Sequence, residues 1–156
     1  MRLHLIAVGS RLPGWLDAGY REYARRLPRE CRLELTEIPL GRRAKNRSPG
    51  RAVAEEGERM LAALPAAAEA IALDVDGAAW STETLANRLS DWLADGRDRA
   101  FLIGGPDGLA PAVRERTTAR WSLSPLTLPH GLARVLVAEA LYRAWSVTAG
   151  HPYHRG

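Results

Sequence analysis

The sequence is poor in cysteine, in lysine and in long apolar runs. Cys31 is the only thiol, which excludes an internal disulfide and favours a reducing cytoplasm. No apolar stretch approaches the roughly 20 residues that a helix needs to cross a bilayer, so no membrane association is expected. Arg2 and the apolar run Leu5–Val8 resemble a signal peptide, but the run is short and lacks a cleavage pattern. We therefore predict a first β-strand there.

Two common kinds of reactive site are also poorly represented. The four histidines have no cysteine or acidic partners at metal-ligand spacing, so no metal is expected; they are His4, His130, His151 and His154. The sequence contains no G-x-S-x-G nucleophile elbow. Cys31 has no histidine near it in the sequence, and we predict that it fills a small apolar space.

Charge is distributed unevenly along the chain. Residues 2–51 contain twelve Arg or Lys against five acidic residues, whereas residues 52–156 contain ten against thirteen. The local balances are therefore +7 and −3, within a formal net charge of +4. A basic first third indicates a polyanionic partner, since clustered cations neutralise phosphates. The alternative interpretation, ordinary solvated surface charge, fits the same composition.

Apolar spacing predicts strands that alternate with helices along the chain. The predicted strands are Leu3–Val8, Leu33–Ile38, Ala70–Val75, Ala100–Ile103 and Arg120–Ser124. The predicted helices are Trp15–Leu27, Ala52–Leu64, a segment from a Ser81 N-cap to about Ala94, Ala110–Thr118 and Gly131–Thr148. This order is typical of an α/β fold, with a mainly parallel sheet flanked by helices. No repeat or linker divides the chain, so we expect one domain over residues 1–156.

A glycine-rich segment, Phe101–Leu109 (FLIGGPDGL), follows the fourth predicted strand. Ligands of α/β proteins bind at the carboxyl edge of the sheet, where such a segment would lie. Gly104 and Gly105 allow the backbone to approach a ligand closely. The spacing is neither that of a dinucleotide fingerprint nor that of a P-loop, which also needs a lysine. A binding loop and a plain tight turn both fit this segment.

A second irregular segment, Trp121–Leu132, alternates polar and apolar residues and contains Pro125 and Pro129. The two prolines remove amide donors and exclude a regular helix or a central strand. An irregular and partly apolar loop must pack against something. We therefore predict either that this loop wraps around a ligand such as a nucleoside or that it forms a rigid connection into the last helix.

The last helix and the tail after it contain most of the remaining candidate residues. Glu139 and Arg143 are four residues apart, which fits a surface ion pair, while the broad apolar face around them also fits a subunit interface. The tail Gly150–Gly156 holds a tyrosine, two histidines and an arginine. Such residues stack on bases and bind phosphate, so the tail is a candidate RNA contact.

Taken together, these segments resemble one family: the methyltransferases that modify N3 of a pseudouridine in large-subunit (23S) ribosomal RNA, which are minimal members of the SPOUT class. The matching segments in the second half of the chain are Leu102–Leu109, Trp121–Ser124, Leu126–His130, Arg134–Glu139, Leu141–Trp145 and His151–Arg155. Those in the first half are Leu5–Gly9, Glu37–Pro39, Gly41–Asn46 and Glu56–Glu58. The resemblance covers essentially the whole chain, and Pro125 is its one departure from the pattern.

The resemblance implies an α/β fold with a C-terminal trefoil knot and an obligate homodimer. It also implies that S-adenosylmethionine binds in the knot, chiefly through backbone groups and apolar side chains. The cofactor-binding residues it implies are Leu73, Gly104, Leu123, Ser124, Pro125, Leu126, Thr127 and Leu128.

The implied substrate is a pseudouridine of 23S ribosomal RNA on the assembled ribosome. The segment Gly41–Gly50 is predicted as a polar loop with four basic residues. The expected RNA-binding residues lie in this loop and in the last helix, and they are Arg42, Arg43, Lys45 and Arg143. His154 is the candidate general base, because an imidazole accepts a proton near neutral pH; substrate placement is the other role open to it. Arg155 would stabilise the anion or bind phosphate, and Tyr153 would stack on the base.

Two other functions fit the same residues. One is a non-catalytic RNA-binding or ribosome-assembly protein that has kept the fold. The other is a methyltransferase of the same class that acts on transfer RNA. His130, next to the predicted cofactor loop, is expected to be structural.

Overall fold

The structure is a computed structural model that describes residues 1–155; Gly156, the last residue of the predicted tail and of the predicted domain, lies outside the described residues. Strands and helices alternate along the chain, as the apolar spacing predicts. The strands are β1 (Arg2–Val8), β2 (Arg32–Ile38), β3 (Glu69–Ala79), β4 (Arg99–Ile103) and β5 (Ala119–Ser122). The helices are α1 (Gly14–Ala24), α2 (Pro49–Ala63), α3 (Thr82–Asp95), α4 (Pro111–Arg116) and α5 (His130–Ala149). Short 3₁₀ turns cover Arg29–Cys31 and Pro152–Arg155.

The five strands form one sheet in the order β2-β1-β4-β3-β5, and every pair is parallel. In the centre, Leu5 of β1 lies opposite Leu35 of β2 on one side and Phe101 of β4 on the other. The predicted α/β fold with a parallel sheet is confirmed. Because all the strands run the same way, their carboxyl ends meet at one edge.

Helices cover both faces of the sheet, and each face has its own apolar cluster. Successive side chains of a strand point to opposite faces, so Leu3 and Leu5 of β1 join one cluster while Ile6 and Val8 join the other. The first cluster packs against α1, α3 and α5, and the second against α2 and α4. Cys31 is fully buried in the first cluster, where desolvation raises the pKa of its thiol to about 12. This is the apolar packing role expected for it.

The strand β3 is longer than predicted. We expected it to end at Val75, before Asp76 and Gly77, but it continues to Ala79. A bulge between Leu73 and Ala78 interrupts its pairing with β5, which then resumes. Gly77 is required at the bulge, since a Cβ there would lie 2.7 Å from the Arg120 carbonyl carbon. The prediction was wrong because turn-forming residues at a bulge look like the end of a strand.

Other element ends differ by one to three residues. The helix α1 ends at Ala24 rather than Leu27, α4 ends at Arg116 rather than Thr118, and β5 ends at Ser122 rather than Ser124. The predicted N-cap of α3 is confirmed, because the Ser81 hydroxyl accepts a hydrogen bond of 3.0 Å from the Thr84 amide.

The start of α2 lies inside the segment that we predicted as a polar loop. The helix begins at Pro49, three residues before the predicted Ala52. Proline is favoured in the first turn of a helix, where its missing N–H would have no partner. The preceding irregular segment, residues 41–48, is called the basic loop below.

Candidate functional site

The carboxyl edge of the sheet contains a cavity of about 430 Å³, a size typical of small-molecule sites. It lies where β3, β4 and β5 end and where α5 begins. Seven of the eight predicted cofactor-binding residues line it: Leu73, Gly104, Leu123, Ser124, Leu126, Thr127 and Leu128. Two separate segments predicted from the sequence therefore meet at one site.

The glycine loop, residues 104–109, forms one wall of this cavity. The Gly108 amide donates to the Gly105 carbonyl over 3.1 Å, which closes a turn with Pro106 and Asp107 at its tip. Gly108 has φ +84°, a conformation that favours glycine. A Cβ on Gly104 would lie 2.7 Å from the Gly108 carbonyl carbon, so the two sides of the loop touch. The segment is thus both a tight turn and the wall of a cavity.

The proline segment, residues 123–130, forms the opposite wall. It is held by local hydrogen bonds: the Ser122 hydroxyl donates to the Ser124 carbonyl over 3.1 Å, and the Leu126 amide donates to the Ser124 hydroxyl over 2.9 Å. Leu126 remains 73% exposed. Pro125 is exposed and is not among the lining residues, unlike the other residues from Leu123 to Leu128.

Sequence reasoning missed several charged residues of the cavity. Asp74 lies on the predicted part of β3, Asp76 lies on its extension, and Arg114 lies on α4; all three line the cavity. Asp74 also pairs with Arg120 over 3.4 Å. A longer predicted β3 would have included Asp76, whereas Arg114 carries no local signal. The wall thus combines apolar side chains, backbone groups, carboxylates and one guanidinium.

His130 and Ala133 extend the cavity onto the first turn of α5. His130 also packs against Gly9 at the end of β1, where a Cβ would lie 3.5 Å from its Nε2. The next turn carries Arg134, which is fully buried. Its guanidinium donates to Glu37 and to the Gly9 carbonyl, each over 2.8 Å. The start of α5 is thereby fixed to the ends of β1 and β2.

The tail folds back over the other end of α5. The Tyr153 ring lies 4.6 Å from Tyr142 and 6.4 Å from Tyr23 of α1, measured between centroids. His151 packs 5.8 Å from Trp145. Arg26, two residues after the end of α1, lies over Tyr23, Tyr142 and Tyr153. The predicted tail residues therefore form an ordered aromatic cluster in this structure.

Charged groups converge on the same cluster. The Glu139 carboxylate accepts hydrogen bonds from Arg143 Nε over 2.8 Å and from the Tyr153 hydroxyl over 3.1 Å. Arg143 also lies 4.9 Å over the Tyr153 ring. Desolvation, with Tyr23 and Glu139 close by, raises the pKa of Tyr153 above its ordinary value. Tyr153 and Arg143 are thus held on a single carboxylate.

The orientation of His154 is defined by one hydrogen bond. Its Nδ1 lies 2.6 Å from the His151 carbonyl oxygen. A carbonyl can only accept, so Nδ1 carries the proton in this contact, and Nε2 is the ring nitrogen left to accept a proton. This is the form that a general base needs. Arg155 follows it at the exposed end of the 3₁₀ turn.

The tail does not meet the cavity of its own chain. Tyr142 and Trp145, which carry the tail, lie nine and twelve residues beyond Ala133 on α5. At 1.5 Å per residue these offsets correspond to about 14 and 18 Å along the helix. The structure thus separates the predicted cofactor-binding residues from the predicted catalytic residues His154, Arg155 and Tyr153.

The predicted RNA-binding residues of the basic loop are in different environments. Arg42 and Lys45 are exposed. Arg43 instead forms ion pairs with Glu56 over 2.7 Å and with Asp107 over 3.0 Å. The fourth residue, Arg143, lies on α5 beside the tail, far from this loop in the sequence. Sequence reasoning found these cations but not the partners that engage Arg43.

Neither a metal centre nor a membrane span is found in the part of the chain that the structure describes. Residues 1–155 contain no group of three or more His, Cys, Asp and Glu side chains arranged to hold a metal ion. No helix within the same residues is long and apolar enough to cross a membrane.

Comparisons with known proteins agree with the fold. The family model described as "Predicted SPOUT methyltransferase" matches residues 1–154. The chain is 61% identical over 155 residues to the ribosomal RNA large subunit methyltransferase H of Alkalilimnicola ehrlichii, and the match covers 99% of each chain.

Two solved structures share the fold at low identity. A probable methylase family protein from Haemophilus influenzae Rd KW20 has a TM-score of 0.58 at 10% identity, over 97% of this chain and 69% of that one. A protein from Legionella pneumophila, solved with the bound cofactor SAM, has a TM-score of 0.50 at 12% identity, over 92% of this chain and 66% of that one. The family match and the 61% identity go further than these likenesses, and the chain belongs to the SPOUT methyltransferase family.

Proposed function

We propose that this protein transfers the methyl group of S-adenosylmethionine to N3 of a pseudouridine in the 23S RNA of the large ribosomal subunit. The observation that carries this proposal is the full-length likeness to a ribosomal RNA large subunit methyltransferase. The cavity supports it, because seven of the eight residues expected to bind the cofactor line one site. The assembled ribosome is the proposed substrate.

The cavity fits S-adenosylmethionine in size and in chemistry. Leu73, Leu123 and Leu128 offer apolar surface to an adenosine. Asp74 and Asp76 suit the ammonium and sulfonium cations of the cofactor, and Arg114 suits its carboxylate. When bound, S-adenosylmethionine supplies an electrophilic methyl group. The protein's part is to hold the nucleophile in line with that group and to exclude water.

The target nitrogen must lose a proton, because it is an imide N–H between two carbonyls. His154 Nε2 is the proposed acceptor, since Nδ1 is engaged with the His151 carbonyl. Arg155 and Arg143 would stabilise the developing negative charge, and Tyr153 would stack on the base. These assignments rest on the chemistry of the tail and on its ordered packing against α5.

A homodimer would unite the tail with the cavity. The helix α5 leaves a partly exposed stripe on one side, formed by Leu132, Leu136, Glu139, Ala140, Arg143 and Val147. Two copies that pack through this stripe about a twofold axis perpendicular to α5 would place the two helices in opposite directions. The tail of one chain would then approach the start of α5 in its partner. We therefore propose that each active site contains the cofactor cavity of one chain and the tail of the other.

The path of the chain supports a C-terminal trefoil knot within a single domain over residues 1–156. The strand β5 lies at the edge of the sheet. The helix α5, which follows it, packs on the middle of the sheet and contacts both α1 and α3. The proline segment connects β5 to α5, and it faces the glycine loop across the cavity. A chain that returned through the loops in this way would form the knot expected of the family.

We propose that Arg42 and Lys45 contact ribosomal RNA near the target and that the protein works in the cytoplasm, where ribosomes are found. The excess of cations in residues 2–51 supports a polyanionic partner. No metal has a part in the proposed reaction. Binding through these exposed cations should weaken steeply as salt rises.

The direct test is methyl transfer from labelled S-adenosylmethionine to intact ribosomes, free subunits, bare ribosomal RNA and transfer RNA from cells that lack the enzyme. Label on N3 of a large-subunit pseudouridine, with intact ribosomes only, is the expected result. Transfer to transfer RNA alone would identify the other methyltransferase class. No transfer and no cofactor binding would favour a non-catalytic assembly protein.

A further inference from the structure

A buried carboxylate lies beneath the glycine loop. Glu56, in α2, is 2% exposed and sits beside the apolar cluster that includes Val8 and Met60. Its carboxylate accepts hydrogen bonds from the Gly41 amide over 2.9 Å and from Arg43 Nη1 over 2.7 Å. A buried charge is retained only when it is paired and hydrogen-bonded. Both partners here come from the basic loop.

Arg43 joins this carboxylate to the glycine loop. One side of its guanidinium contacts Glu56, and its Nε donates to Asp107 Oδ2 over 3.0 Å. The Arg43 side chain is 29% exposed, against 43% for that of Asp107. We call Glu56, Arg43 and Asp107 the clasp. It spans the sequence from residue 43 to residue 107 and connects two loops that share no backbone pairing.

The glycine loop is therefore held at two points. Gly105 rests on the buried end of the clasp: a Cβ there would lie 2.9 Å from Val8 Cγ1 and 3.4 Å from Glu56 Oε1. Asp107, at the tip of the turn, is held by Arg43. Gly104, Gly105, Pro106 and Gly108 line the cavity, while none of the three clasp residues is among its lining residues.

We infer that Arg43 and Asp107 are positioning residues of the cofactor site, an inference that rests on the proposed function for the identity of the ligand. They hold the glycine loop in the shape that forms the cavity wall, and they do so from outside the cavity. Arg43 thus serves the cofactor site rather than acting as a free RNA contact like Arg42 and Lys45. The clasp also ties the basic loop to the cofactor site.

A second ion pair in the same region provides a matched control. Arg47 pairs with Glu55, one residue before Glu56 on α2. Glu55 also accepts from the Arg42 amide over 3.1 Å, and Arg47 donates to the Arg42 carbonyl over 3.0 Å. This pair fixes the basic loop to α2 just as the clasp does. The contacts of this pair lie within the basic loop and α2 and do not reach residues 104–109.

The test compares Asp107→Asn with Glu55→Gln in the full-length protein. Hydrogen exchange of the amides in residues 104–109 is measured without cofactor, and the Kd for S-adenosylmethionine is measured by calorimetry. Asp107→Asn should speed exchange in the glycine loop and weaken cofactor binding by about threefold to tenfold, the effect of one charge-assisted hydrogen bond in a partly exposed position. Glu55→Gln should leave both quantities unchanged. Arg43→Lys, which keeps the charge but cannot bridge two carboxylates, should behave like Asp107→Asn.

Two results would overturn the inference. In one, Asp107→Asn leaves both exchange and Kd at their wild-type values. In the other, Glu55→Gln disturbs residues 104–109 as much as Asp107→Asn does, so that the effect belongs to the basic loop in general. Failure of the proposed function is distinguishable, because a wild-type protein that binds no S-adenosylmethionine would still report on the clasp through hydrogen exchange.

Discussion

The two ends of α5 differ in what they bring to the proposed active site. Its first turn, at His130 and Ala133, lines a cavity whose wall is mostly backbone and apolar side chains. Its second half carries the tail, where Glu139, Arg143 and Tyr153 form a charged and aromatic cluster. The first end contributes a close-fitting cavity wall, and the second contributes groups that can bind charge or transfer protons.

This division separates binding from chemistry within one chain. A cofactor with an adenosine and a methionyl part needs a close-fitting wall, which glycine and proline segments provide. Deprotonation of an imide needs a base and cations, which the tail would provide in the proposed reaction. Because the two ends lie about 14 to 18 Å apart along one helix, an active site that uses both requires two chains.

The largest expected effect is complementation between two defective chains. His154→Ala should lower methyl transfer about 10²- to 10⁴-fold, the range for loss of a general base. Gly104→Ala should impair transfer when the cofactor is below its wild-type Kd. A heterodimer of the two variants, purified through two different tags, retains one intact site and should recover about half of the wild-type rate.

The control for this experiment is each homodimer alone, assayed at the same total chain concentration. If the heterodimer is no more active than the average of the two homodimers, each tail works on the cavity of its own chain. In that case the two ends of α5 would not serve the active sites of different chains.

A smaller effect should separate binding from chemistry directly. A Cβ at position 104 would lie 2.7 Å from the Gly108 carbonyl carbon, so Gly104→Ala must push the two sides of the glycine loop apart. Overpacking of this kind costs about 1–3 kcal/mol, which corresponds to about a 5- to 150-fold rise in the Kd for S-adenosylmethionine. Calorimetry on the purified protein measures it. The matched variant His154→Ala should bind the cofactor normally, and a weakened Kd there would contradict the division.

Much of the cavity was predictable from the sequence, because its walls are local features. A strand that runs into Gly104 and Gly105 and a segment with Pro125 and Pro129 are visible without any tertiary structure. Periodicity also gave the order of strands and helices. The resemblance to a known family supplied Leu73, which alone has no distinguishing signal.

Features that depend on distant pairing were not predictable. The extension of β3 arises from its contacts with β5 after a bulge, and it brings Asp76 to the cavity. The partners of Arg43 lie 13 and 64 residues away in the sequence. Composition marks Arg43 as a basic-loop cation, but only the fold shows which carboxylates engage it.

The smallest effect is expected from Tyr153→Phe, which removes one hydroxyl from the tail and keeps the ring packed on Tyr142. The Glu139 carboxylate would lose the 3.1 Å hydrogen bond and keep Arg143. A partly exposed hydrogen bond of this kind contributes about 1 kcal/mol, so kcat should fall about fivefold, with the Kd for the cofactor unchanged.

The pH profile of the same variant sharpens the assignment of the base. Burial raises the pKa of Tyr153 above its ordinary value of about 10, so the hydroxyl stays protonated between about pH 6 and 9. Any inflection of the rate in that range then belongs to another group, and Tyr153→Phe should keep it while His154→Ala should remove it. If the inflection disappears in Tyr153→Phe and survives in His154→Ala, the base is not His154, and the tyrosine takes a more direct part in the reaction than stacking.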